Sequence, residues 1–286
     1  MINQTLKAIY SGFYDIQKMR IQSGNRIVAN FKLRIGQQTS TPETELDDEG
    51  KDILKKVRAS YDSMADAAVD LPRLSKFAGN EVISEYAELV LADSYVKLTG
   101  QEERCMKSIK QLIHADPFWK HYLKGVCGVG ETMALVILAT IDIHKARYPS
   151  SLWKYCGLDV AEDGAGRSRK KAHLVMREYV NKDGEPDIRE GITFNPTIKT
   201  KLIGILGPSF LKAKNPKYAP IYYGYKNRLE NHPVHKDKKP LHRHNMAIRY
   251  MIKMFLIDLH MAWRAFEGLE VSVPYCEAKL KLKHAC

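Results

Sequence analysis

Apolar residues recur at three-to-four spacing through most of the chain, which predicts a mainly α protein. In residues 1–36 the stripe Leu6, Ile9, Tyr10, Phe13, Ile16, Ile27, Phe31 and Ile35 is interleaved with Lys18, Arg20, Arg26, Lys32 and Arg34, giving a basic amphipathic helical segment. Residues 37–49 are polar and then acidic, and read as a linker. Helical patterns resume over about 50–69 and 80–115, with a break at Leu71-Pro72-Arg73, so residues 50–115 form a helical arm. Its stripe through Val82, Tyr86, Leu89, Val90, Val96, Met106, Ile109 and Leu112 is long enough for a coiled-coil seam, although such stripes more often pack within their own chain. Asp116-Pro117 then predicts a restart, with Asp116 as N-cap and Pro117 at the first helical position.

The pattern changes character at residues 119–160. A helix ending on Lys124-Gly125 is followed by Val126-Cys127-Gly128-Val129-Gly130, and an unbroken apolar run begins at Met133. This predicts a helix, a tight glycine hairpin and a second helix. Gly128 and Gly130 fit a bend that needs φ > 0 or close backbone approach, and the amides of the bend and of the next helix's first turn favour an anion. Thr132 adds a hydroxyl and Lys124 a cation. The same spacing also serves a plain turn between two core helices. Tyr148-Pro149-Ser150-Ser151 predicts a short helix capped by Ser150 or Ser151 and ended at Cys156-Gly157.

Beyond residue 160 charge alters the picture. Residues 161–286 hold 24 Lys+Arg against 13 Asp+Glu, net +11, leaving 21 against 20, net +1, for residues 1–160. The surplus points the second half of the chain towards a polyanion. It is densest where the glycine-rich stretch 161–166 runs into Arg167, Ser168, Arg169, Lys170 and Lys171. Residues 172–180 and 191–194 predict a β-hairpin across 181–184. Asn195-Pro196 caps a helix expected to end at Gly207-Pro208. A tyrosine-rich helix over residues 218–230 and a long apolar helix over 242–268 complete a basic helical C-terminal region, with residues 269–286 as a tail. The four histidines of residues 232–244 lack Cys or paired carboxylates at ligand spacing, so they read as a basic loop and no metal or cofactor is expected. Five cysteines without a C-x-x-C pair fit a reduced compartment. No opening segment has the pattern of a signal peptide, and the longest apolar run is too short for a bilayer, so a cytoplasmic, nucleoid-associated protein without membrane contact is expected.

The order of elements resembles the C-terminal domain of a group of insertion-sequence transposases in which a RuvC-like acidic nuclease domain precedes a helix-hairpin-helix transposase domain. DNA invertases and RNA-guided recombinases belong to the same group. The family's I-P-G-I-G-x-x-x-A is similar to residues 126–134, and its F-x-S-x-x-x-L-x-x-Y-x-G-L to residues 148–158. Residues 218–263 resemble its later tyrosine helix, lysine-rich loop and final apolar helix. The resemblance implies that residues 116–268 are a DNA-binding transposase-like domain. Residues 1–93 depart from the family, being helical in pattern where the RuvC-like strands and acidic ligands belong. The family's serine nucleophile precedes the glycine of an S-G pair; here Ala165 stands before Gly166, and alanine has no attacking hydroxyl. Ser168, three residues on, is an offset candidate with no evident base beside it in sequence.

Three functions stay open from sequence. The first is a transposase-derived protein that grips the sugar-phosphate backbone of DNA, with RNA as a second candidate, through Lys124, Gly128, Gly130, Thr132, Arg167, Arg169, Lys170 and Lys171. The second is an active serine recombinase, with a nuclease partner supplied in trans. The third is an oligomeric interaction protein; a homo-oligomer is expected.

Overall fold

The computed structural model describes residues 4–37, 46–64 and 71–272. Most of the expected linker and of the expected tail, with Cys276 and Cys286, lies outside the described residues. The fold is mainly α, with a single two-stranded sheet among the described residues. Two compact units are present: Ala8–Ile109, and the rest of the described chain.

In the first unit, α1 (Gln4–Arg34), α2 (Asp48–Met64) and α3 (Tyr86–Ala115) supply the helices. Ile27 and Val28 of α1, Ile53 and Val57 of α2, and Ile83, Leu89 and Ala92 at the start of α3 close into one core. The stripe at that end of the arm is therefore spent within the chain. Helix α3 starts at Tyr86, not at residue 80, because Asn80 holds the preceding turn out of the helix: its Oδ1 accepts the N–H groups of Val82 (2.9 Å) and Ile83 (2.8 Å). Glu88 Oε2 then accepts the Ser84 N–H (2.8 Å) and a bond from Arg34 (2.7 Å), which fastens α1 to the α3 entry.

The second unit is built around a helix with no polar face. Helix α5 (Glu131–Thr140) is buried from Met133 to Thr140, the state expected of a helix apolar all round. Before it, Asp116 caps α4 (Pro117–His121) by accepting the Trp119 N–H at 2.8 Å, with Pro117 at the first turn as expected. After it, α6 (Pro149–Tyr155) is capped by Tyr148 rather than by Ser150 or Ser151, since Pro149 already occupies the first helical position. It ends as predicted at Gly157, φ +63°, with the Leu158 N–H returning to the Trp153 carbonyl (2.8 Å) and the Gly157 N–H to that of Lys154 (3.1 Å).

The β-hairpin is present with a different partner. Strand β1 (Val175–Val180) pairs antiparallel with β2 (Pro186–Gly191), Val175 opposite Gly191 and Val180 opposite Pro186. The connection spans 181–185, where Asn181 Oδ1 accepts the N–H groups of Asp183 and Glu185 (both 2.9 Å). Asn195 caps α7 (Pro196–Lys201) as expected. The helix does not stop at Gly207-Pro208, however. A π-helical turn over Leu202–Leu206, closed by the Gly207 N–H on the Leu202 carbonyl, leads into α8 (Gly207–Lys212). That wider turn accommodates the proline, which lacks an N–H and would otherwise crowd the carbonyl four residues back. Helices α9 (Tyr218–Glu230) and α10 (Pro240–Phe266) pack together, and Phe210 of α8 stacks on Tyr218 (4.8 Å) and meets Phe255 of α10 edge-on (5.3 Å).

Candidate nucleic-acid interface

The glycine bend is a single 3-10 turn, Leu123–Gly125, followed by Val126 to Gly130 and the first turn of α5. Gly128 has φ +96°, and a Cβ there would lie 2.9 Å from the Phe210 ring. The bend is tied to the α8–α9 junction: the Ser209 hydroxyl donates to the Gly128 carbonyl (2.7 Å) and the Asn215 amide to that of Cys127 (2.7 Å). The close approach that removes the Cβ at 128 is thus made by the chain's own α8. Gly130 differs: it is exposed, caps α5 with ordinary extended φ (−91°), and has open space where a Cβ would go. Lys124 and Thr132 are exposed beside it. The positive end of α5 already meets an anion of its own, Glu131. That carboxylate is held below its usual range first by a backbone N–H of its own residue and then by His114, which lies at 3.1 Å.

The cationic loop is more ordered than its glycines imply. An isolated antiparallel bridge joins Val160 to Gly166, the Ala161 N–H bonds to the Ala165 carbonyl (2.8 Å), and Gly164 turns with φ +74°. Ala165 is exposed at the tip, its N–H held by Asp163 Oδ1 (2.9 Å). Arg167 is half-buried and paired with Asp159 (3.1 Å), so its charge is partly answered, whereas Arg169, Lys170 and Lys171 are exposed.

Beneath them lies a group that sequence reasoning missed. His173 is 2% exposed. Its Nδ1 accepts the Ser168 backbone N–H (3.0 Å) and faces the Ser168 hydroxyl (2.9 Å), while Nε2 lies 3.0 Å from Asp163 Oδ2. Because Nδ1 accepts from an amide, the proton belongs on Nε2, which donates to Asp163. Asp163 is drawn below the usual carboxylate range, first by this bond and then by the Ala165 N–H. Ser168 therefore does have a base beside it, five residues on, brought round by a 3-10 turn at Lys171–His173.

The loop is attached on a different side from the glycine bend. Lys199 of α7 donates to the Arg167 carbonyl (2.6 Å), and Arg249 of α10 donates to the Gly157 carbonyl (3.2 Å). Burial and then Arg249 push the Lys199 ammonium down to about 8. Neither residue stands out in sequence, since each is one cation in an amphipathic helix.

The fold and this loop define a basic α-helical protein with a fixed cation-bearing surface loop. Residues 120–189 match the family described as Transposase IS116/IS110/IS902 family, which supports a transposase-type role in transposition or recombination. No curated protein and no solved structure matches the chain. Among the described residues no helix is long and apolar enough to cross a membrane, and no cluster of His, Cys, Asp and Glu is arranged to hold a metal ion.

Proposed function

We propose that the second unit grips the sugar-phosphate backbone of DNA through the loop 161–173, as a transposase-derived binding protein. The observation that carries this is a loop held rigid by the Asp163–His173–Ser168 bonds that displays Arg169, Lys170 and Lys171 to solvent. Fixing the backbone beforehand lowers the ordering cost of binding a strand, and three uncompensated cations favour a phosphate chain over any neutral partner. Lys124, Gly130 and Thr132 extend the grip at the start of α5, while Gly128 shapes the bend from within. Backbone contacts of this kind position a protein without reading bases. An electrophoretic shift with several duplexes of unrelated sequence tests it. Wild type is expected to bind all of them alike, and R167Q/R169Q/K170Q/K171Q to lose all of them together. Selective loss of one sequence, or a preference for RNA over every duplex, contradicts the reading.

One observation favours a second reading, a serine phosphotransferase. The Ser168 hydroxyl faces an imidazole acceptor whose other nitrogen is oriented by a carboxylate. In that chemistry Ser168 Oγ bonds to phosphorus as the bond from phosphorus to the leaving oxygen breaks. The serine proton passes to His173 Nδ1 and on to the leaving oxygen. A covalent protein–DNA adduct on a nicked substrate, lost in Ser168→Ala, supports this reading; absence of an adduct in wild type rejects it.

A further inference from the structure

Outside the matched segment, three more cations converge behind the loop. Arg249 and Lys253 lie one turn apart on α10, where like charges at this spacing repel, and Lys199 faces them from α7. All three are half-buried. Their contacts are with neutral groups: Lys199 with the Arg167 carbonyl and the Phe194 ring (4.4 Å to its centre), Arg249 with the Gly157 carbonyl, Lys253 with the Trp153 ring (5.0 Å). A Cβ on Gly166 would sit 2.8 Å from the Arg249 guanidinium, so only glycine lets that cation lie against the loop. The carboxylate that acts on all three is Asp159, and its Oδ2 is already engaged by Arg167. Burial lowers each of them first, and repulsion from Arg249 adds to it for Lys199 and Lys253.

Holding cations half out of water around a single, already paired carboxylate costs free energy that carbonyls and rings do not return. An arriving anion with several acceptor oxygens offsets that cost, and a guanidinium beside two ammoniums suits a tetrahedral phosphoryl group. We propose that Lys199, Arg249 and Lys253 form a binding site for one phosphoryl group at the foot of the loop 161–173. This rests on the strand-gripping reading for its occupant, a backbone phosphate of the bound DNA; the shared chemistry also admits free phosphate.

The test titrates inorganic phosphate at constant ionic strength, and separately a fluorescein-labelled DNA duplex, into wild type, R249Q/K253Q and the exposed-site control Lys182→Gln. Phosphate is expected to raise the unfolding temperature of wild type and the control but not of R249Q/K253Q. The salt slope of duplex binding is expected to fall by about 2 in R249Q/K253Q, about one per lost phosphate contact. An equal phosphate response in wild type and R249Q/K253Q overturns the site, even if DNA binds. A phosphate response confined to proteins with an intact site, without duplex binding by wild type, upholds the site and overturns the DNA reading. Should R249Q/K253Q not unfold cooperatively, Lys199→Gln carries the same comparison with an expected slope change of about 1.

Discussion

Gly128 and Gly130 stand two apart in the same bend and answer to different physics. Gly128 needs φ +96° and has the Phe210 ring where a Cβ would fall; Gly130 needs neither. Gly128→Ala is therefore expected to destabilise the protein by about 1–3 kcal/mol, and Gly130→Ala to change it by no more than about 0.5 kcal/mol. Urea unfolding of the two variants checks the pair, and equal losses would remove the distinction. Lys199 carries a second prediction at this scale. Its ammonium titrates near 8 when folded, below the ordinary 10.5, because burial, Arg249 and Arg169 outweigh Asp159. Between those values the unfolded chain holds the proton and the folded one does not, so this residue's contribution to stability rises with pH across that window. A side-chain NMR titration should place Lys199 near pH 8 and move it upward in Arg249→Gln; a value near 10.5 in wild type contradicts the packing described.

At the scale of elements, the ribbon β1–β2 adds almost nothing to the core. Met176, Val180 and Ile188 are exposed, and the opposed Arg177 and Arg189 put like charges across from each other. Replacing residues 176–190 by Asn-Gly between Val175 and Gly191, which already face each other, is expected to change stability by less than about 1 kcal/mol. A thermal melt with lost cooperativity would show that the ribbon does hold the unit together. Local signals made the helix caps legible before any coordinates. Asp116, Asn195 and Gly157 act through bonds only a few residues long, and each does what its type and position imply. The π turn before Pro208 was not legible, because whether a proline stops a helix depends on packing from elsewhere: a Cβ on Gly207 would lie 2.8 Å from Ile248 of α10. The strand partner was misplaced for a similar reason, since both faces of the ribbon meet solvent and no alternation of apolar residues marks the register.

Across the whole molecule, charge imbalance was visible from composition, but its assembly was not. Arg167 looked like one of four equal cations and is instead paired with Asp159, while Lys199, Arg249 and Lys253, 32 to 86 residues further on, gather behind it. The base for Ser168 lay five residues away, yet only the turn at Lys171–His173 aims it back. Such juxtapositions depend on chain reversal and long-range packing, which residue spacing does not encode. The central claim is that the loop's cations neutralise backbone phosphates. The most direct test is the dependence of duplex affinity on salt, measured by fluorescence anisotropy for wild type and for R169Q/K170Q/K171Q. The account predicts a log–log slope shallower by about 3 in the variant, whatever the duplex sequence. An unchanged slope would contradict it.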